Sequence, residues 1–271
     1  MSYCCCVAEL WDDLLACLDL ETLPDEAGFE GKNLHLEYHR LFGGQLLAQF
    51  LVAAALTCPE KSVKSVHVLF PREGHADEPV RYTVDRHHEG GTFASLAIQA
   101  RQSRGVIATA SVSMHKAEDG LARQSVAPVR EVPADSEPVT LGMMPFETRS
   151  SISLDAREAG PPEYRLWLKM AKADPALAPA LAAYATDLTL IGTALRAVPD
   201  VSQADAQKAF TSAVTSHTLW FHRPFTTDAW LLLRQQGPIL AHGRSFGRGD
   251  LLTADGTLVA SYAQEAMVRF K

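Results

Sequence analysis

The sequence predicts an α+β protein made of two repeats, each a single enclosed helix followed by antiparallel strands. Three observations carry this. Two apolar helical runs, 46–57 and 185–198, end in the same way, at Cys58-Pro59-Glu60 and at Val198-Pro199-Asp200. Each is followed by four strand-like runs. Those strands also echo one another: Val66-His67-Val68-Leu69-Phe70 answers Ser216-His217-Thr218-Leu219-Trp220, and Val106-Ile107-Ala108-Thr109 answers Leu258-Val259-Ala260-Ser261. Self-similarity of this kind marks a repeat architecture, and two such halves can sit side by side and join their antiparallel sheets, which makes the class α+β.

Taken in order, Ala8 to Leu20 reads as a short amphipathic helix with Leu10, Leu14, Leu15 and Leu18 on one side. Phe42-Gly43-Gly44-Gln45 opens the first long helix, which proline ends after Cys58. That helix is apolar on nearly every side, so it is surrounded by protein rather than laid on a surface. Strands follow at Ser62–Phe70, Pro79–His87, Phe93–Ala100 and Val106–His115, with turns near Gly90-Gly91 and Gly105. Residues 121–147, with prolines at 128, 133, 138 and 145, read as a linker between halves at 1–120 and 148–271. In the second half, strands are expected at Arg149–Leu154 and Tyr164–Ala171 ahead of the helix. After it they are expected at Val214–Phe221, Trp230–Arg234, Arg244–Leu252 and Thr257–Arg269.

Bulk properties narrow the function. A chain of 271 residues, 47% hydrophobic and 21% charged, has ample material for a core. A net charge of −7 argues against nucleic acid as a partner. No apolar run reads as a membrane span and no signal peptide is visible, so a cytoplasmic protein is expected. The five cysteines, three of them adjacent at Cys4-Cys5-Cys6, make no disulfide framework, and the run is read as a flexible, reduced terminus. His87-His88 reads as a loop and carries no metal-ligand spacing; no metal or cofactor is expected.

Chemistry concentrates on two apolar faces of the second half. Read as a helix, Tyr184, Asp187, Ile191, Ala194 and Val198 share a face, so Asp187 would carry a carboxylate into the core. Asp187 also suits the N-cap of a helix starting at Leu188, and the segment alone leaves both roles open. In the last strand, alternation places Gln264 on the face of Tyr262, Ala266 and Val268, the single amide there. The first half has Leu47 and Val112 where the second has Asp187 and Gln264. Polar groups in one half only point to one site per chain.

Phe42-Gly43-Gly44-Gln45, Tyr184-Ala185-Thr186-Asp187, the run from His217 to Phe225 (HTLWFHRPF) and Ala263-Gln264-Glu265 resemble the type II acyl-CoA thioesterases from about residue 35 to the C-terminus. The resemblance implies a double hot-dog fold: two repeats, each a central helix wrapped by an antiparallel sheet, joined into one continuous sheet. It also implies hydrolysis of fatty acyl-CoA to free acid and CoA, with a trio of Asp, Gln and Thr or Ser holding the attacking water. Asp187 and Gln264 match two of the three. The hydroxyl position, three before His217, is Val214. Ser216 is expected on the face of Val214 and is taken as the substitute hydroxyl, whereas Thr215 is expected to face the other way. The Phe42-Gly43-Gly44 turn is the candidate substrate-binding backbone, because glycine allows close approach. Arg223, Arg244 and Arg248 read as a solvated edge, with CoA phosphates as a second reading. An acyl-CoA-binding protein that has lost turnover with the Val214 hydroxyl is the alternative. Enoyl hydration would need an Asp/His pair, for which no motif accompanies Asp187. A homo-oligomer, dimer or tetramer, is compatible with this reading.

Overall fold

The structure, a computed structural model, describes residues 3–24, 28–36 and 40–271, with side chains from Ala8 onward. It falls into two compact units. One comprises Met1–Arg123 with Ala176–Ala185, the other Gln124–Pro175 with Thr186–Lys271.

In the first unit, α1 (Tyr3–Leu18) is followed by β1 (Glu21–Leu23), β2 (Gly28–Gly31) and α2 (Gly43–Thr57). Then come β3 (Ser62–Leu69), β4 (Val80–Glu89), β5 (Phe93–Gln102) and β6 (Gly105–His115). The strands run β1-β2-β4-β5-β6-β3, all pairs antiparallel. Every residue of α2 from Gly44 to Ala54 is buried, as an all-round apolar helix must be. Its two glutamines are satisfied inside. Gln49 Nε2 donates to Cys17 O at 2.8 Å and its Oε1 accepts the Tyr82 hydroxyl at 2.6 Å, which ties α1 to α2 and β4. Phe42 and Tyr184 meet edge to face with centroids 5.0 Å apart.

The second unit has β7 (Glu137–Pro138), β8 (Glu147–Ser150), β9 (Glu163–Lys169), β10 (Phe210–Phe221), β11 (Leu231–Ala241), β12 (Arg244–Thr253) and β13 (Leu258–Phe270). Their order is β10-β13-β12-β11-β9-β8-β7, again antiparallel throughout. Between β9 and β10 the chain forms α3 (Ala178–Thr186), which up to Ala185 belongs to the first unit, and then α4 (Leu190–Leu195), which packs against β11 and β12. Leu195 of α4, Phe210 and Val268 form one cluster, and Trp167, Leu232 and Leu252 form another, packed against Val126 and Val129 of the segment before β7. This is the hot-dog arrangement of the α+β class, a helical segment wrapped by an antiparallel sheet.

Several expectations are corrected. The second helix is not continuous over 185–198: it breaks at Asp187-Leu188-Thr189. A run of Thr, Asp and Thr supplies side chains that compete with the helical backbone, and β-branched Thr is a poor helix former. β11 runs on past Arg234 to Ala241 through Gly237-Pro238, because a register shift between Gln236 and Ile239 accommodates the proline. Within the expected linker, β7 pairs with β8, and Gln124 holds both Gly256 O and Leu258 N. His87-His88 lies in β4 rather than in a loop. α1 begins at Tyr3, so the Cys4-Cys5-Cys6 run is helical rather than a loose terminus. One stretch, Pro175–Leu195, is long and apolar enough for a membrane span, yet its apolar part is mostly buried in the protein, as befits a core segment.

Candidate active site

Asp187 sits in the break between α3 and α4, where its carboxylate and its backbone carbonyl both turn toward β13. Gln264 Nε2 donates to Asp187 Oδ1 at 2.8 Å and to Asp187 O at 3.1 Å. Asp187 is 5% exposed and Gln264 2%. Asp187 is therefore not the cap of α4, whose N-cap position is Thr189. A buried carboxylate needs hydrogen-bond donors, and the amide of a residue 77 positions away provides one.

The third member differs from expectation. β10 carries a bulge at Thr215, so Val214 pairs with Ala266, Ser216 with Glu265 and His217 with Gln264. Partners across an antiparallel ladder share a face. Val214 and His217 thus face the side of Gln264, and Ser216 faces the opposite side with Glu265. The structure does not bring Ser216 to Asp187 and Gln264; the extra residue of the bulge reverses the alternation on which that expectation rested. Thr215 spends its hydroxyl on Glu265 O at 3.0 Å.

His217 takes the place beside Gln264. It is 0% exposed, with Nδ1 3.2 Å from Gln264 Nε2 and 3.5 Å from Asp187 Oδ1. Its Nε2 lies 3.1 Å from the hydroxyl of Thr186, also fully buried. The ring lies parallel to Tyr262, 7° between planes at 6.1 Å. Behind it, the Tyr262 hydroxyl accepts from Gln235 Nε2 at 3.0 Å, and Gln235 Oε1 accepts from the Thr189 and Thr193 hydroxyls. Burial pushes the Tyr262 phenol far above its ordinary value, so it remains neutral. His217 is not among the site residues expected from the sequence, and the echo of His67 in His217 is one residue out. The bulges in β3 and β10, at Lys64 and Thr215, match Val66, not His67, to His217. A buried histidine against a buried valine was the signal available. An Asp/His pair is thus present, but both ring nitrogens of His217 are turned to protein groups.

Phe42, Gly43 and Gly44 lie at the start of α2. A Cβ on Gly44 would meet the Phe42 ring and, at 2.6 Å, Tyr184 O, so close packing alone requires glycine there. The three arginines are engaged within the second unit: Arg223 with Leu258 O, Arg244 with Glu265 and Arg248 with Gln236. Among the described residues no group of three or more His, Cys, Asp or Glu is placed to hold a metal ion.

Residues 36–115 match the model of the acyl-CoA thioesterase N-terminal domain, and residues 122–268 that of the acyl-CoA thioesterase C-terminal domain. Acyl-CoA thioesterase 2 of Haemophilus influenzae is 29% identical, covering 97% of this chain and 99% of the relative. Human acyl-coenzyme A thioesterase 8 is 28% identical over 94% of this chain and 88% of its own. The crystal structure of acyl-CoA thioesterase II TesB2 from Mycobacterium marinum superposes with a TM-score of 0.79 at 29% identity, covering 95% of this chain and 97% of the other. A dehydratase domain of the curacin polyketide synthase, 15% identical with a TM-score of 0.55, shares the fold alone. With the family's models laid over both repeats, and the Asp187–Gln264 contact falling inside the C-terminal one, the chain belongs to the acyl-CoA thioesterase family.

Proposed function

We infer that the chain hydrolyses fatty acyl-CoA to free acid and CoA by direct attack of a water held between Asp187 and Gln264. The observation that carries this is the buried 2.8 Å bond from Gln264 Nε2 to Asp187 Oδ1. Reversing the amide would set Gln264 Oε1 against two oxygens of Asp187, so the NH2 group faces the carboxylate and Oε1 is the acceptor that remains. A water donating one hydrogen to Asp187 Oδ2 and the other to Gln264 Oε1 presents its lone pairs to the thioester carbon. As its oxygen bonds to that carbon, Asp187 takes the proton. Collapse of the tetrahedral species breaks the C–S bond, and the proton passes to the CoA sulfur, a good leaving group with thiol-like acidity. Phe42, Gly43 and Gly44 are proposed as substrate-binding backbone, since the N–H groups of the first helical turn lack intrahelical acceptors. A reducing, cytoplasmic setting belongs to the same proposal and is supported by the free thiols of Cys17 and Cys58.

Val214, on the face of Gln264, keeps a second reading in play: acyl-CoA is bound without turnover. Thiol release over a panel of acyl-CoA chain lengths separates the two. Hydrolysis in the wild type, with Asp187→Asn and Gln264→Ala each lowering kcat by ~10²-fold or more, supports the first. Binding with no thiol released by the wild type supports the second.

A further inference from the structure

We propose that neutral His217, with its proton on Nε2, is a positioning residue that locks in place the Gln264 amide whose NH2 end Asp187 selects, by accepting its second hydrogen, and that Thr186 sets the tautomer of His217. This rests on the hydrolytic reading above and supplies the ordering that a hydroxyl at Val214 would otherwise give.

Donor arithmetic fixes the protons. Gln264 Nε2 has two hydrogens and three acceptors within reach: Asp187 Oδ1 at 2.8 Å, Asp187 O at 3.1 Å and His217 Nδ1 at 3.2 Å. One hydrogen is shared by the two oxygens of Asp187, and such three-centre bonds are common beside helix ends. The other points at Nδ1, which must be bare to accept it. A proton on Nδ1 would oppose that hydrogen, and its gain would be a contact to Asp187 Oδ1 of 3.5 Å, at the outer limit of a useful bond. Neutral imidazole with a bare Nδ1 carries its hydrogen on Nε2, and this donates to Thr186 Oγ1 at 3.1 Å.

Both hydrogens of the Gln264 amide are then consumed by protein, so its Oε1 has one role left, accepting from water. His217 and Thr186 are fully buried, so bulk water cannot substitute for either. The stacked Tyr262 holds the ring plane, and Gln235 in turn anchors the Tyr262 hydroxyl. In the first unit the matching ladder pair is Val66 with Val112. The polar pair His217–Gln264 is thus a feature of the half that carries Asp187, not a need of the fold.

Three variants and one spectrum test this. His217→Leu removes the acceptor, His217→Asn restores an acceptor oxygen near the place of Nδ1, and Thr186→Val removes the partner of Nε2–H at nearly constant volume. We expect kcat for acyl-CoA to fall ~10²-fold in His217→Leu and ~10-fold in Thr186→Val, with KM within ~2-fold. His217→Asn should recover to within ~10-fold of wild type. Nitrogen-15 NMR of histidine-labelled wild type should show His217 neutral with the proton on Nε2, and Thr186→Val should shift that signal. His217→Leu turning over like wild type, His217→Asn failing as badly as a folded His217→Leu, or a protonated Nδ1 in the spectrum would each overturn the proposal. If His217→Leu does not fold, Thr186→Val and the wild-type spectrum decide. Asp187→Asn run alongside separates the two levels. An active Asp187→Asn sinks the hydrolytic reading, whereas an inactive one beside an active His217→Leu sinks this inference alone.

Discussion

Asp187 and Gln264 meet 77 positions apart in sequence, and what surrounds them decides which neighbours matter. Ser216 is turned to the face of Glu265, so Ser216→Ala should leave kcat within ~2-fold of wild type, as expected for a substitution that touches no reacting group. Val214 lies on the face of Gln264. A hydroxyl there can donate to the attacking water, so Val214→Thr should raise kcat, up to ~10-fold, in the thiol-release assay. If no attacking water stands within its reach, kcat stays at the wild-type value, and because Val214 is only half-buried the unfolding midpoint moves little.

Two irregular elements build the site, and they are also where the sequence was hardest to read. The periodicity of 185–198 is helical and correctly puts Asp187 inside, but the pattern does not reveal that Thr186-Asp187-Leu188-Thr189 opens the helix. Period-2 reading placed Gln264 correctly on a regular strand, β13, and misplaced Ser216 on β10, because a bulge at Thr215 leaves no mark on an alternating sequence. The regular strands of the first half were legible nearly end to end, since each is bounded by turn residues. β1 and β2, three and four residues long, were not. Glycines make room for the site: a Cβ on Gly247, the ladder partner of Gln264, would come within 2.8 Å of Leu190 in α4. One on Gly249 would press into the Tyr262 ring. Gly249→Ala should cost about 1–3 kcal/mol by chemical denaturation and lower kcat by displacing the ring stacked on His217. Tyr262→Phe leaves Gln235 Nε2 without its acceptor and should cost a similar 1–3 kcal/mol, roughly, with the ring still in place.

Across the whole molecule, one hot-dog unit is spent on packing and the other on polar chemistry. The first unit uses its buried glutamines and Tyr82 to seat α1, which gives it an alkaline weakness. Burial, with Asp13 nearby, pushes the Cys17 thiol up from 9.0 to about 12, and burial raises the Tyr82 phenol well above 10.0. Both groups are held neutral in the fold, and the unfolded chain releases these protons first as pH rises. Stability is therefore complete below pH 9.0 and falls above it, by up to about 1.4 kcal/mol per pH unit for Cys17 until pH nears 12. Urea midpoints at pH 8 and pH 10 measure the slope, and Cys17→Ala should flatten it. Direct water attack at Asp187 is the claim on which the rest depends, and single turnover with enzyme in excess, in 18O-labelled water, tests it most directly. The account predicts one 18O in the released fatty acid, none in the Asp187 carboxylate and no acyl-protein adduct on quenching; label in Asp187, or a trapped adduct, would contradict it.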